Sequence, residues 1–185
     1  MTEQELAIDA VRRLNRAGIA YLLTGSMASN YCGIPRTTHD LDFVVQLPLK
    51  SIPSLLREFR DDFYLDEPAV RAALAPPYQF NAIDRRSALK IDFWMLRSNP
   101  FEMSMFERRL SVDFLGERAW IATAEDVLCW DSLTPSERQT SDAAGVVAIQ
   151  LDSLDRAYLQ QWAGELGFSE KLNQLLARVI KPKST

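Results

Sequence analysis

The sequence predicts an α/β fold, and three observations carry that prediction. Segments of strand length occupy residues 19–23, 40–45 and 88–96, the first an unbroken apolar run. Helically spaced apolar residues precede the first run and follow the second. Beyond Thr123 the spacing is helical only. The expected organisation is an α/β module over residues 1–122 and a helical C-terminal subdomain over 123–185. A chain of 185 residues is long enough to bury a core without metal or disulfide staples.

Taken in order, Thr2 and Glu5 form a capping box for a first helix. Leu6, Ala7, Ala10, Val11 and Leu14 line its apolar face, and Gly18 ends it. The unbroken run at 19–23 then reads as a buried strand. Thr24-Gly25-Ser26 turns it into a short helix from Met27 to Cys32, closed by Gly33 and Pro35. A second strand begins at Asp40 and is stopped by Pro48. Residues 51–60 read as a helix with Leu55, Leu56 and Phe59 on one face. Residues 62–83 mix short strand-like and helical pieces around Pro68 and Pro76-Pro77. The third strand is 88–96, and 120–122 adds a short one. In the tail Thr123, Pro135-Ser136 and Ser153 open three helices. Leu154, Tyr158, Trp162 and Leu166 mark the third of these, and Leu172, Leu175, Leu176 and Val179 a fourth.

Composition excludes several classes. The chain is 47% hydrophobic and 25% charged, as ordinary soluble proteins are. No apolar run approaches the roughly 20 residues of a membrane span. The N-terminus is polar and acidic rather than a leader, so the expected location is the cytoplasm. Cys32 and Cys129 form no motif and read as buried thiols. The net charge is −4, divided as −1 over residues 1–120 and −3 over 121–185, so no basic surface favours nucleic acid. His39 is the only histidine, which removes histidine metal clusters and Ser-His-Asp triads.

Three features carry chemistry. Asp40 and Asp42 sit two apart on a strand, so both carboxylates share a face and could grip divalent cations. With 14 aspartates in the chain one such spacing arises by chance, and a solvent-facing acidic pair fits it equally. Gly25-Ser26 stands where a strand becomes a helix, a start that exposes N–H groups to a phosphate or is simply a turn and cap. Asp92 lies between Ile91 and Phe93-Trp94, where burial demands a metal, Lys90 or a distant arginine as partner. Trp130, Tyr158 and Trp162 read as helix packing, and Lys181 and Lys183 as a solvated end.

Together, Gly25-Ser26, thirteen intervening residues, Asp40-Leu41-Asp42 and a later Asp92 resemble the DNA polymerase β-like nucleotidyltransferase superfamily. The lead-in Arg36-Thr37-Thr38-His39 is similar to that of small bacterial members, among them toxin components of abortive-infection and toxin–antitoxin pairs. The likeness extends into the tail through Ala124-Glu125-Asp126-Val127-Leu128, Ser136-Glu137-Arg138-Gln139 with Asp142, and Leu154-Asp155 with Tyr158-Leu159 and Trp162-Ala163.

The resemblance implies a central mixed sheet flanked by helices, with the helical subdomain appended. It implies transfer of a nucleoside monophosphate from a nucleoside triphosphate to an acceptor hydroxyl of RNA, protein or a small molecule. Asp40, Asp42 and Asp92 would hold Mg²⁺ or Mn²⁺, with Asp92 helping to deprotonate the acceptor. Gly25 and Ser26, with Arg36, would bind the nucleotide. An antitoxin-like protein partner and no membrane association are expected. One departure stands out: relatives carry a lysine after the Glu-Asp pair, and Cys129-Trp130-Asp131-Ser132 has none. Lys90 is the leading substitute, with Arg85 and Arg86 behind it. The alternative is a catalytically silent binding or regulatory protein.

Overall fold

The computed structural model describes residues 2–133 and 136–180. Helix α1 (Glu3–Ala17) carries the expected capping box, with Thr2 N–H donating to Glu5 at 2.8 Å and Glu5 N–H to Thr2 at 3.2 Å. Gly18 ends it in the left-handed conformation, φ 64°. Strand β1 (Ala20–Thr24) runs into α2 (Gly25–Cys32), and β2 (Leu41–Gln46) follows a connecting loop. A single 3₁₀ turn (Leu49–Ser51) leads into α3 (Ile52–Phe59). Its inward face is Ile52, Leu55 and Phe59, and Leu56, expected there too, is only half-buried.

The mixed stretch resolves into β3 (Phe63–Tyr64), α4 (Glu67–Ala72) and β4 (Gln79–Asp84). Strand β5 (Lys90–Met95) is shorter than expected at both ends, since Ala88 turns with φ 58°. Two elements were not read from periodicity. Helix α5 (Pro100–Arg108) is capped by Asn99, which accepts from Glu102 N–H at 2.9 Å. Strand β6 (Leu110–Phe114) forms a hairpin with β7 (Glu117–Ile121).

Among the described residues, seven strands form one mixed sheet in the order β3-β4-β5-β2-β1-β7-β6. Pairs β2·β5 and β1·β7 are parallel, and the other four pairs antiparallel. One face is an aromatic core: Phe93 stacks on Phe80 (centroids 4.9 Å) and Phe43 (5.9 Å), and meets Phe59 of α3 edge-on at 5.7 Å. Helices α1 and α3 cover this face.

On the other face α2 packs on β1 and β2, and α6 (Ala124–Leu133) and α7 (Glu137–Gln150) pack on α2. Outside them, α8 (Arg156–Leu166) packs on α6, and α9 (Ser169–Ile180) on α7. Thr123 and Ser136 cap α6 and α7 as expected, with N–H to Oγ distances of 3.2 Å each. Pro135, Lys181 and Lys183 lie outside the described residues. Asp155, not Ser153, caps α8, accepting from Tyr158 N–H at 3.0 Å. A charged acceptor two residues later outcompetes a hydroxyl that instead bonds Gln150.

The two tail segments of the resemblance meet in space. Asp155 N–H donates to Glu125 at 2.8 Å and the Tyr158 hydroxyl to Asp126 at 2.6 Å. Tyr158 and the buried Trp162 therefore serve packing, as expected, with Trp162 edge-on to Phe101 at 5.3 Å. No described helix is long and apolar enough to cross a membrane.

Candidate functional site

The site begins with strand register. Thr24 of β1 lies opposite Asp42 of β2, and Asp42 opposite Asp92 of β5. Residues directly opposite share a face, so these three form a row across the sheet centre, on the face away from the aromatic core. Lys90 and Trp94 flank Asp92 on that same face. Alternation is the local cause: in Lys90-Ile91-Asp92-Phe93-Trp94 the apolar Ile91 and Phe93 are fully buried in the core.

Helix α2 starts at one end of this row. Thr24, at its N-cap, makes no side-chain capping bond. Gly25 takes φ 60°, and a Cβ built there would meet Asp42 Oδ2 at 2.5 Å. Only glycine satisfies both constraints. The close approach expected of this glycine is thus made first to Asp42. Ser26 receives a hydrogen bond from Arg36 at 3.0 Å.

Gly25, Ser26, Arg36, Asp40, Asp42 and Asp92 all line one open cleft of about 780 Å³. Asp42 and Asp92 are its floor. Asp40 stands just before β2 rather than within it and is more than half exposed, with Arg138 at 3.9 Å. Arg36 is committed elsewhere: Nε donates to the buried Asp142 at 2.6 Å, Nη2 reaches the same carboxylate, and Nη1 bonds Thr37 O at 2.9 Å. It braces the cleft against α7. Lys90 Nζ sits 2.8 Å from Asp92 and is outside the cleft lining, so it acts on Asp92 rather than on the cleft directly. Of the other substitute cations, Arg86 pairs with Asp84 at 3.0 Å. His39 pairs with Glu3 on α1.

Three contributors escaped sequence reasoning. Trp94 donates its indole N–H to Asp42 Oδ1 at 3.0 Å. Trp130, half-buried and packed on the core as expected, also lines the cleft beside it, edge-on with centroids 6.3 Å apart. Arg138 brings a cation from the first turn of α7. Period-two alternation from Asp92 would have found Trp94. The other two depend on how α6 and α7 dock.

The electrostatics follow from crowding. Burial pushes the Asp42 carboxyl up to about 6, and Asp92 and Asp40 push the same way against the Trp94 bond and Lys90. Asp131 of α6 also lines the cleft and accepts from Ser29 Oγ at 3.3 Å. Burial raises it to about 7, with Asp142 and Asp42 adding to the shift and Arg36 opposing it. A carboxyl raised by folding stabilises the fold below its unfolded value, and that stability is lost as pH rises through the folded value. The window for Asp131 therefore runs from about 4 to about 7. Asp131→Asn keeps an acceptor for Ser29 without the charge, so its melting temperature should exceed that of the wild type at pH 8 by on the order of 5 °C. At pH 4.5 the two should converge. Parallel melting curves across this range check it, and a pH-independent difference would refute it.

The donor set suits a hard divalent ion. Asp92 Oδ1 and Thr24 Oγ1, on either side of Asp42, are buried without hydrogen-bond partners, and such atoms call for a ligand. Oxygen donors of this kind match Mg²⁺ or Mn²⁺. Among the described residues no three His, Cys, Asp or Glu side chains are gathered as a ready ligand set. Trp94 and Lys90 each hold one oxygen of the central pair, and Asp40 stands at the rim. Further oxygen ligands would have to complete the coordination.

No protein-family model matches the chain, and no curated protein matches its sequence. Solved structures do match. One is the crystal structure of an antigenic nucleotidyltransferase-like protein from Paracoccidioides brasiliensis, with TM-score 0.56 and 15% identity over 97% of this chain and 94% of that one. Another is the solution structure of the antibiotic-resistance factor ANT(2'')-Ia, with TM-score 0.60 and 10% identity over 95% and 96%. The fold is the nucleotidyltransferase fold. At such identities the likeness is one of fold, and it covers nearly the whole chain, helical tail included. The nucleotidyltransferase fold here has the mixed sheet and flanking helices that the resemblance implied.

Proposed function

We propose that the cleft transfers a nucleoside monophosphate from a nucleoside triphosphate to an acceptor hydroxyl, releasing pyrophosphate. The observation that carries this reading is the junction of Gly25 and Asp42, where an uncapped helix start abuts the central carboxylate row. Free N–H groups at that start suit phosphate oxygens. Asp42 and Asp92, helped by Asp40, would hold Mg²⁺ or Mn²⁺, and the ion would neutralise the triphosphate and polarise the α-phosphorus. Asp92 Oδ1, buried and unpartnered, is suited to accept the acceptor's proton, while Lys90 fixes the other oxygen. Arg36 steadies Ser26 through Asp142, and Arg138 adds positive charge at the rim. The lead-in motif supports a toxin-type role with an antitoxin-like partner.

The test is a transfer assay with labelled nucleoside triphosphates against pooled RNA, whole-cell protein and small metabolites. Wild type should label one pool. Lys90→Ala, by freeing Asp92, should slow transfer by roughly 10- to 100-fold. Arg57→Ala, whose only described bond is to Ser54 on the exposed face of α3, should not. The second reading is a silent binding protein, favoured by the hold of Trp94 and Lys90 on the carboxylates. No labelling of any pool by wild type, with Mn²⁺ and nucleotide unbound, would establish it.

A further inference from the structure

Beside the cleft lies a smaller and more enclosed pocket of about 150 Å³, walled by Tyr78, Trp94, Met95 and Trp130. Trp94 and Trp130 line both cavities, so the pocket is one indole away from the carboxylates. We infer that this pocket receives the flat ring of the acceptor, and that the acceptor is an aromatic alcohol without anionic groups. The inference rests on the transfer reading above and adds its acceptor.

Position gives the first argument. The phosphate-binding helix start follows β1, the carboxylates stand on β2 and β5, and the pocket is built on β5 and the turn before β4. These positions follow the strand order across the sheet, with the pocket starting two residues further along β5 than Asp92. In an in-line displacement the incoming oxygen and the leaving group lie on opposite sides of the phosphorus. A pyrophosphate leaving toward α2 puts the acceptor on the β5 side, where the pocket is. In that step the acceptor oxygen bonds the α-phosphorus and its proton passes to Asp92. The bond to the bridging oxygen breaks, and pyrophosphate departs with that electron pair.

Chemistry gives the second. The lining includes two tryptophans and a tyrosine, residues whose rings favour an aromatic ligand. At the rim, Glu102 accepts from Arg97 N at 2.9 Å and Arg97 Nε at 2.7 Å, so this ion pair is already satisfied and presents no bare charge. The adjoining cleft sets Asp40, Asp42, Asp92, Asp131 and Glu137 against Arg36 and Arg138. Those two arginines already pair with Asp142 and Asp40, which leaves less positive charge for a polyanionic acceptor such as RNA. Tyr78 is held at φ 60°, a conformation rare for a side chain of this size, by Tyr78 N–H to Ala75 O at 2.9 Å and Met95 N–H to Tyr78 O at 2.8 Å. Such outliers concentrate where a ligand is clamped.

The experiment titrates the full chain with tyramine, followed by indole fluorescence and saturation-transfer NMR, and separately with Mn²⁺ and tripolyphosphate. Tyramine should bind wild type and Tyr78→Phe alike and Tyr78→Ala about tenfold more weakly. All three should bind Mn²⁺–tripolyphosphate equally, which also shows that the variants are folded. Equal tyramine binding by Tyr78→Ala overturns the proposal, as does displacement of tyramine by adenosine or cytidine, which would make the pocket a nucleobase site. Tyramine binding without Mn²⁺–tripolyphosphate binding in wild type overturns the transfer reading itself, and the acceptor role with it. A tyrosine-containing peptide in place of tyramine tells a protein acceptor from a small one.

Discussion

Asp42→Asn should abolish the rise in Mn²⁺ affinity that a nucleoside triphosphate brings about in the wild type. Asp42 is the middle of the Thr24–Asp42–Asp92 row and touches both the helix start and the indole of Trp94. Loss of a partner behind a ligand costs roughly 10- to 100-fold in metal affinity, and loss of the ligand should exceed that. The fold should not suffer. Asparagine can still accept from Trp94, and it removes a buried charge that Asp92 and Asp40 repel. Calorimetry should therefore show binding lost while the melting temperature at pH 8 holds or rises. Equal metal binding by variant and wild type would remove Asp42 from the site.

Gly25→Ala should damage both fold and binding. The φ of 60° strains any Cβ-bearing residue, costing on the order of 1–3 kcal/mol. The new methyl would also lie 2.5 Å from Asp42 Oδ2, which must then move. Nucleotide-dependent Mn²⁺ binding should fall by at least about tenfold, beyond what strain alone explains. Gly116 supplies the control: its φ is 84°, yet nothing lies within 4 Å of a Cβ there. Gly116→Ala should lose stability and keep binding. Matched binding losses in the two variants would show that the contact with Asp42 is unimportant.

Much of this was legible in the chain because the informative signals were local. The Thr2–Glu5 capping box, Gly18, the apolar run before Gly25 and the Asp-x-Asp spacing each act within a few residues. The row itself was half legible. Alternation gave the faces of Asp42 and Asp92, but register alone sets them side by side. The ion pairs that Arg36 and Lys90 make were legible to different degrees. Their partners Asp142 and Asp92 lie 106 residues along the chain in one case and two in the other. No periodicity reveals the first, and the second is a geometry that spacing permits without requiring. Helix α5 carried a readable start in Asn99-Pro100 and buried Phe101, Met105 and Phe106 at helical spacing, but a buried Glu102 breaks the apolar face.

The brace between Arg36 and Asp142 also bears on how such a chain can drift. Asp142 is 5% exposed at its side chain, so losing Arg36 alone would strand a buried charge at a cost of about 3–5 kcal/mol. Losing Asp142 alone would leave a guanidinium pulling on Ser26 without its counterweight. Exchanging both for apolar residues of similar volume can be close to neutral. The two positions are therefore separated by a barrier to stepwise substitution, though not to joint replacement. Descendants of this sequence should carry the pair intact or lack both members, and single-member forms should be short-lived intermediates.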